Sequence, residues 1–162
     1  MAKTIKIELT QKSINKAMKE LQRYQGWVHE KETELRLRLA TIGMVAASIR
    51  FSRAIYSGVN DVTVRMDDTG SVAVIYAEGE SVAFIEFGTG ARYGYGHPMA
   101  GEFGTGPGTW PDGKGNWDNP KGWWFGNSQH TYGNPPAMAM VAARDAIAEN
   151  VTRIAKEVFG ST

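Results

Sequence analysis

Cysteine is absent from the 162-residue chain. That excludes disulfide staples, thiolate zinc sites and a cysteine nucleophile, and it suits a reducing compartment. Long apolar runs are missing too. None approaches the ~20 residues a membrane helix needs, and the opening MAKTIKIELT has no signal-peptide core. The expectation is a soluble product made in the cytoplasm, with no membrane partner. An excess of one charge is also lacking: 18 Lys and Arg stand against 17 Asp and Glu, a net +1. A protein whose main task is gripping phosphate backbone carries a marked basic excess, so general nucleic-acid binding is disfavoured. Hydrophobic residues at 42% and charged residues at 22% are globular values, which argues against wholesale disorder.

Catalytic signatures are equally scarce. None of the three histidines, His29, His97 and His130, has HExxH spacing. His97 and His130 read as polar loop residues bonding locally. No G-x-S-x-G elbow exists, and no carboxylate pair stands out among Glu78, Glu80, Glu86, Glu102, Asp112 and Asp118. The strings Gly88-Thr89-Gly90 and Gly104-Thr105-Gly106-Pro107-Gly108 match neither phosphate-loop pattern, and Pro107 removes an N–H such a cradle would use. The expectation is a protein that is not an enzyme, with no catalytic residue, no metal and no cofactor.

What the chain does have is unevenly distributed. Thirteen of 19 glycines lie between Gly88 and Gly133, with all six prolines at or just after that stretch and four of five tryptophans inside it. Tryptophan is too apolar to leave in solvent without a use, so this excursion is an ordered or partner-ordered loop rather than a linker. One domain spans 1–162: a helical region over 10–57, a β-hairpin region over 61–87, the Gly/Pro/Trp-rich loop over 88–136 and a C-terminal helix over 137–159.

Within these limits the periodicities are specific. Ile5, Ile7 and Leu9 alternate with Lys6 and Glu8 as in a half-buried strand, and Thr10 or Ser13 can cap a helix beginning there. Ile14, Met18, Leu21 and Val28 recur at helical spacing, with a bend or break expected at Gly26. A second helical run from about Trp27 to Tyr56 places Leu35, Leu39, Ile42, Ala46 and Ile49 on one face. Two alternating runs, Val62-Val64-Met66 and Val72-Val74-Tyr76, flank Asp67-Asp68-Thr69-Gly70, which is turn chemistry at hairpin length. Met140, Ala143, Ile147, Val151, Ile154 and Val158 mark the last helix, stopped by Gly160. The fold class expected is α+β: a small antiparallel sheet with a long amphipathic helix and a C-terminal helix packed on it.

The aromatic set Tyr93, Tyr95, Phe103, Trp110, Trp117, Trp123, Trp124, Phe125 and Tyr132 admits three readings: the loop's own mini-core, anchors for a protein neighbour, or a stacking platform for sugar or single-stranded nucleic acid. The six charges at 88–136 balance, so no basic track accompanies the rings, which weakens the nucleic-acid version.

Three segments carry a resemblance to a known family: Ala83-Phe84-Ile85-Glu86-Phe87-Gly88-Thr89-Gly90, Gly122-Trp123-Trp124-Phe125 and Thr131-Tyr132-Gly133-Asn134-Pro135-Pro136-Ala137-Met138. With the preceding long amphipathic helix, they resemble the "gene product ten" group of lambdoid siphophages, which are neck, tail-component or tail-completion proteins. The layout matches over about residues 10–159. It departs in the long Gly/Trp-rich insert and at the helix-to-hairpin junction, where Ile55-Tyr56-Ser57-Gly58 replaces the family's proline and Thr-Gly pair. The resemblance implies a structural protein of the virion neck or tail, made in the host cytoplasm, forming a homo-oligomeric ring (a hexamer or dodecamer). Its neighbours would be the head-closure (stopper) protein, the tail terminator and the tail tube, with DNA at most passing through the lumen. Glu86, Phe87, Gly88, Thr89 and Gly90 then form a structural turn with Phe87 beneath the hairpin. Tyr93, Tyr95, Trp110, Trp117, Trp123, Trp124, Phe125 and Tyr132 become subunit-interface candidates. The alternative is a carbohydrate- or single-stranded nucleic-acid-binding module that uses the Trp/Tyr-rich loop.

Overall fold

The computed structural model describes residues 8–54, 60–90, 92–93, 97–99, 102, 120–125 and 129–160. The expected strand at 4–9 falls largely outside them; Leu9, at its end, is fully exposed.

The first element is a single helix, α1, Gln11–Ser52. The Thr10 side chain caps it by accepting the Ser13 N–H at 3.2 Å. Gly26 does not break it, contrary to the sequence expectation. An isolated glycine costs a helix only about 1 kcal/mol, which the flanking turns outweigh. After α1, the Asn60 amide donates to the carbonyls of Phe51 and Ala54, tying the following chain to the helix end.

β1 (Thr63–Asp68) and β2 (Ala73–Glu78) form the expected antiparallel hairpin, with Thr63 opposite Glu78 and Asp68 opposite Ala73. Its turn is held by the Asp68 carboxylate, which accepts the Gly70 N–H at 3.0 Å. The same carboxylate takes two hydrogen bonds from the Arg36 guanidinium at 3.0 and 3.3 Å, pinning the hairpin tip to α1.

Val82–Phe87, assigned by sequence to the hairpin region, is instead a short helix, α2. The Asp61 carboxylate explains its start, accepting the N–H groups of Glu80 and Ser81. A second small hairpin, β3 (Trp123–Phe125) with β4 (Gln129–Thr131), interrupts what sequence reads as one long loop. The chain ends in α3, Ala139–Gly160.

α3 runs antiparallel to α1: Gly43 faces Ile147, Arg38 pairs with Glu157, and Trp27 meets Phe159. Small residues make this approach close. A Cβ on Gly43 would lie 2.7 Å from the Cδ1 atoms of both Ile147 and Ile75, so at this point helix, helix and hairpin converge. The core beside it is Ala47, Phe51, Ile85, Ala139 and Ala143, with Val62, Val64, Ala77, Val82 and Met140 against it. The architecture is α+β, with the hairpin and two long helices sharing one core.

Candidate functional site

The three segments that carry the family resemblance, distant in sequence, meet at one junction. α2 delivers Glu86 into the core, where it is 5% exposed. Its backbone carbonyl accepts the Met138 N–H, and the Ile85 carbonyl accepts the Ala137 N–H. The Glu86 carboxylate then reaches the start of α3: Oε2 accepts the Ala139 N–H at 2.7 Å and Oε1 the Met140 N–H at 3.0 Å. Helix α3 begins behind Met138, a residue at φ 51° whose side chain offers no oxygen. A capping acceptor must come from elsewhere, and Glu86 supplies it with a charge that the helix N-terminus favours.

His97 completes the lock. It is 4% exposed, with Nε2 3.1 Å from Glu86 Oε1. Its Nδ1 accepts the Met99 N–H at 3.1 Å, so in the neutral ring Nε2 carries the proton and donates it to Glu86. Its ring centroid lies 4.4 Å from that of Phe87. Phe51, Met99, Met140 and Val141 join this pair around an apolar cavity of about 420 Å³. The polar atoms of Glu86 and His97 are spent on backbone groups and on each other, an arrangement that fastens one element to another.

The glycines make the junction possible. Gly88 (φ 78°) has the Asn134 carbonyl oxygen and the Pro136 nitrogen each 2.8 Å from where a Cβ would stand. Thr89 is buried and bonded twice to Asn134: its N–H donates to that residue's carbonyl, and its hydroxyl accepts the N–H. Gly90 (φ 81°) lies under the Trp123 ring, whose Cη2 and Cζ3 would be 3.1 Å from an added Cβ.

The sequence-named residues therefore separate. Glu86 to Gly90 and Trp123 share the junction, and Trp123 is half-buried. Trp124, next in β3, points the other way and is 66% exposed, edge-on to His130 at 5.2 Å. Tyr132 lies on the far side of His130 at 5.0 Å, with the Arg92 guanidinium 5.3 Å from its ring and 5.7 Å from that of Tyr93. Phe125 lies in β3. Tyr95, Trp110 and Trp117 lie outside the described residues. Sequence reasoning missed His97 as Glu86's partner; the one available signal was the lack of a capping residue before α3.

Among the described residues, no cluster of three or more His, Asp or Glu is arranged to hold a metal ion. No described helix is long and apolar enough to cross a membrane. Comparison with protein-family models, curated proteins and solved structures finds no match.

Proposed function

We propose that this chain is a non-enzymatic structural subunit of a tailed-phage neck, a tail-completion protein that forms a ring joining tail to capsid. The observation that supports it most is the junction. The Glu-Phe-Gly-Thr-Gly turn, the Gly-Trp-Trp strand and the Gly-Asn-Pro-Pro entry to α3, the segments behind the resemblance, form one hydrogen-bonded unit. Such a unit fixes the fold and leaves aromatic side chains, Trp124 and Tyr132, facing outward. A ring needs subunit faces that complement each other, and exposed tryptophan and tyrosine are the residues that anchor such contacts. The test is genetic. Phage lacking this gene should accumulate filled heads and separate tails, and a labelled copy should be seen between them in joined particles. Normal particles without the protein would overturn the reading.

One observation favours the alternative. Trp124, His130 and Tyr132 make an exposed aromatic row with Arg92 beside Tyr132, which would suit a sugar ring or an unstacked base. Saturable binding of an oligosaccharide or a short single-stranded oligonucleotide, lost in Trp124→Ala, would support that reading over the neck.

A further inference from the structure

Among the described residues, β1 pairs with β2 alone, so its other edge is open. Neither a proline nor a bulge blunts that edge, because the register with β2 runs unbroken from Thr63 to Asp68. The Thr69 N–H bonds to the Val72 carbonyl at 3.0 Å. Counting back from that pair, Arg65 and Asp67 turn their backbone groups to β2, while Val64 and Met66 turn theirs outward. The side chains of Val64 and Met66 are half-buried, and those of Arg65 and Asp67 are exposed. A strand added here therefore needs one apolar and one charged face.

The chain contains a segment of that kind which its own hairpin cannot use. Over residues 4–9, Ile5, Ile7 and Leu9 alternate with Lys6 and Glu8. The segment is tied to the start of α1, where the Glu8 N–H donates to the Ser13 hydroxyl at 3.0 Å and Leu9 is exposed. The near end of the hairpin is fixed by Arg36 and Asp68, and Arg36 lies ~39 Å along the helix from Thr10. Ile75, against Gly43, lies farther still. Lys6, four residues before Thr10, reaches at most ~14 Å from it.

Segment and edge complement each other in a single antiparallel register. With Lys6 opposite Asp67, Glu8 falls opposite Arg65, Ile7 opposite Met66 and Leu9 beside Val64. Both charge pairs are of opposite sign, and both apolar pairs fall on the half-buried side. No parallel register gives both charge pairs. The β2 edge is a poorer match, since its exposed side offers one charge, Glu78, already 2.9 Å from Arg65. The hydrogen-bond phase agrees too. Ile7 and Leu9 would turn their backbone groups to Met66 and Val64. Those of Glu8, which would point away from β1, are already spent on the Ser13 hydroxyl and the Thr10 N–H.

We infer that residues 4–9 of one chain add as a third strand to the β1 edge of a second copy, antiparallel, with Lys6 on Asp67 and Glu8 on Arg65. This goes beyond the neck reading and does not depend on it. Light scattering on the full chain should give an integral multiple of the monomer mass. Ile7→Pro removes an N–H that faces β1 and should return the chain to monomer with its helical circular dichroism unchanged. Because the native chain has no cysteine, single variants mixed in pairs report the register. On oxidation, Lys6→Cys chains mixed with Asp67→Cys chains should form a mixed disulfide. Ile7→Cys chains, with the thiol on the opposite face, should form far less with the same partner. A monomeric wild type, a multimer that survives Ile7→Pro, or equal cross-linking by Lys6→Cys and Ile7→Cys would each overturn the pairing. So would a wild type that assembles only on a different protein. Absence of the protein from phage particles would sink the neck reading alone and leave the strand pairing standing.

Discussion

The carboxylate of Glu86 and the backbone N–H of Met140 stand 3.0 Å apart although 54 positions separate them in the chain. One buried side chain thus caps the last helix from the end of α2.

Removing that cap should be costly. Glu86→Ala leaves the N–H groups of Ala139 and Met140 and the His97 Nε2 proton without their acceptor in a buried site. At ~1–3 kcal/mol for each of the three stranded donors, the loss should total roughly 3–9 kcal/mol. Glu86→Gln keeps one acceptor oxygen and should cost about half as much. Urea unfolding at neutral pH measures both, and a Glu86→Ala midpoint equal to wild type would remove the capping role.

Glycine substitutions should divide by position. At Gly88 and Gly90 the backbone is left-handed, and the space for a Cβ is filled by the Asn134 carbonyl at the first and by the Tyr132 carbonyl and the Trp123 ring at the second. Valine there should cost well over ~1 kcal/mol and disrupt the junction. Gly43→Ala should destabilise too, because Ile147 and Ile75 stand in the way. Gly26 is the opposite case: nothing lies within 4 Å of its absent Cβ, in the interior of a helix. Gly26→Ala should stabilise by ~0.5–1 kcal/mol. Thermal melts of the four variants give the comparison, and a loss of stability in Gly26→Ala would show that the glycine has a use beyond the helix.

How far the sequence reveals this fold depends on the range of the forces involved. α1, the first hairpin and α3 are legible because each carries its own periodicity or turn chemistry: Asp68 with Gly70 sets the hairpin, and the run from Ala143 to Val158 sets the helix. Val82–Phe87 is not, since six apolar-rich residues fit a strand or a helix equally. Asp61, nineteen residues from the Glu80 N–H it accepts, decides the matter. The junction is half legible. Its glycines announce tight turning, but Glu86 reads as one more loop carboxylate until His97 and the N-terminus of α3 are brought to it.

Acid should loosen the hairpin and the pairing of α1 with α3 first. Asp68 is held below its ordinary 3.8 by the Arg36 hydrogen bond, then by the Gly70 N–H. For Asp61, burial opposes the charged form, but the N–H groups of Glu80 and Ser81 outweigh it and hold it low as well. Arg153 and then Arg38 lower Glu157. A carboxylate depressed on folding adds stability above its unfolded value, and that stability is lost as pH falls through the folded one. Melting temperature should therefore be flat near neutrality and drop once pH passes below the ordinary carboxylate range. Asp68→Asn should lower the neutral plateau and shrink the acid drop. An acid drop in Asp68→Asn as large as that of wild type would show that the Arg36 contact does not contribute.

The two tryptophans of β3 should behave differently, because a strand turns alternate side chains to opposite faces. Trp123 is half-buried over Gly90, inside the junction, whereas Trp124 is two-thirds exposed beside His130. Trp123→Ala should lower the melting temperature of the isolated subunit, by up to the ~3–5 kcal/mol that losing a core tryptophan costs, reduced here for incomplete burial. Trp124→Ala should leave melting unchanged, since its ring buries little in the single chain. If Trp124 anchors a neighbour, the same change should remove ~2 kcal/mol or more from each contact, a loss repeated around a ring. Complementation of a phage lacking the gene, scored as joined particles, reads that loss. A stable Trp124→Ala subunit that fails to join heads to tails places the side chain at an interface. Full joining by the same subunit rules Trp124 out as an anchor and leaves the exposed aromatic row to a ligand.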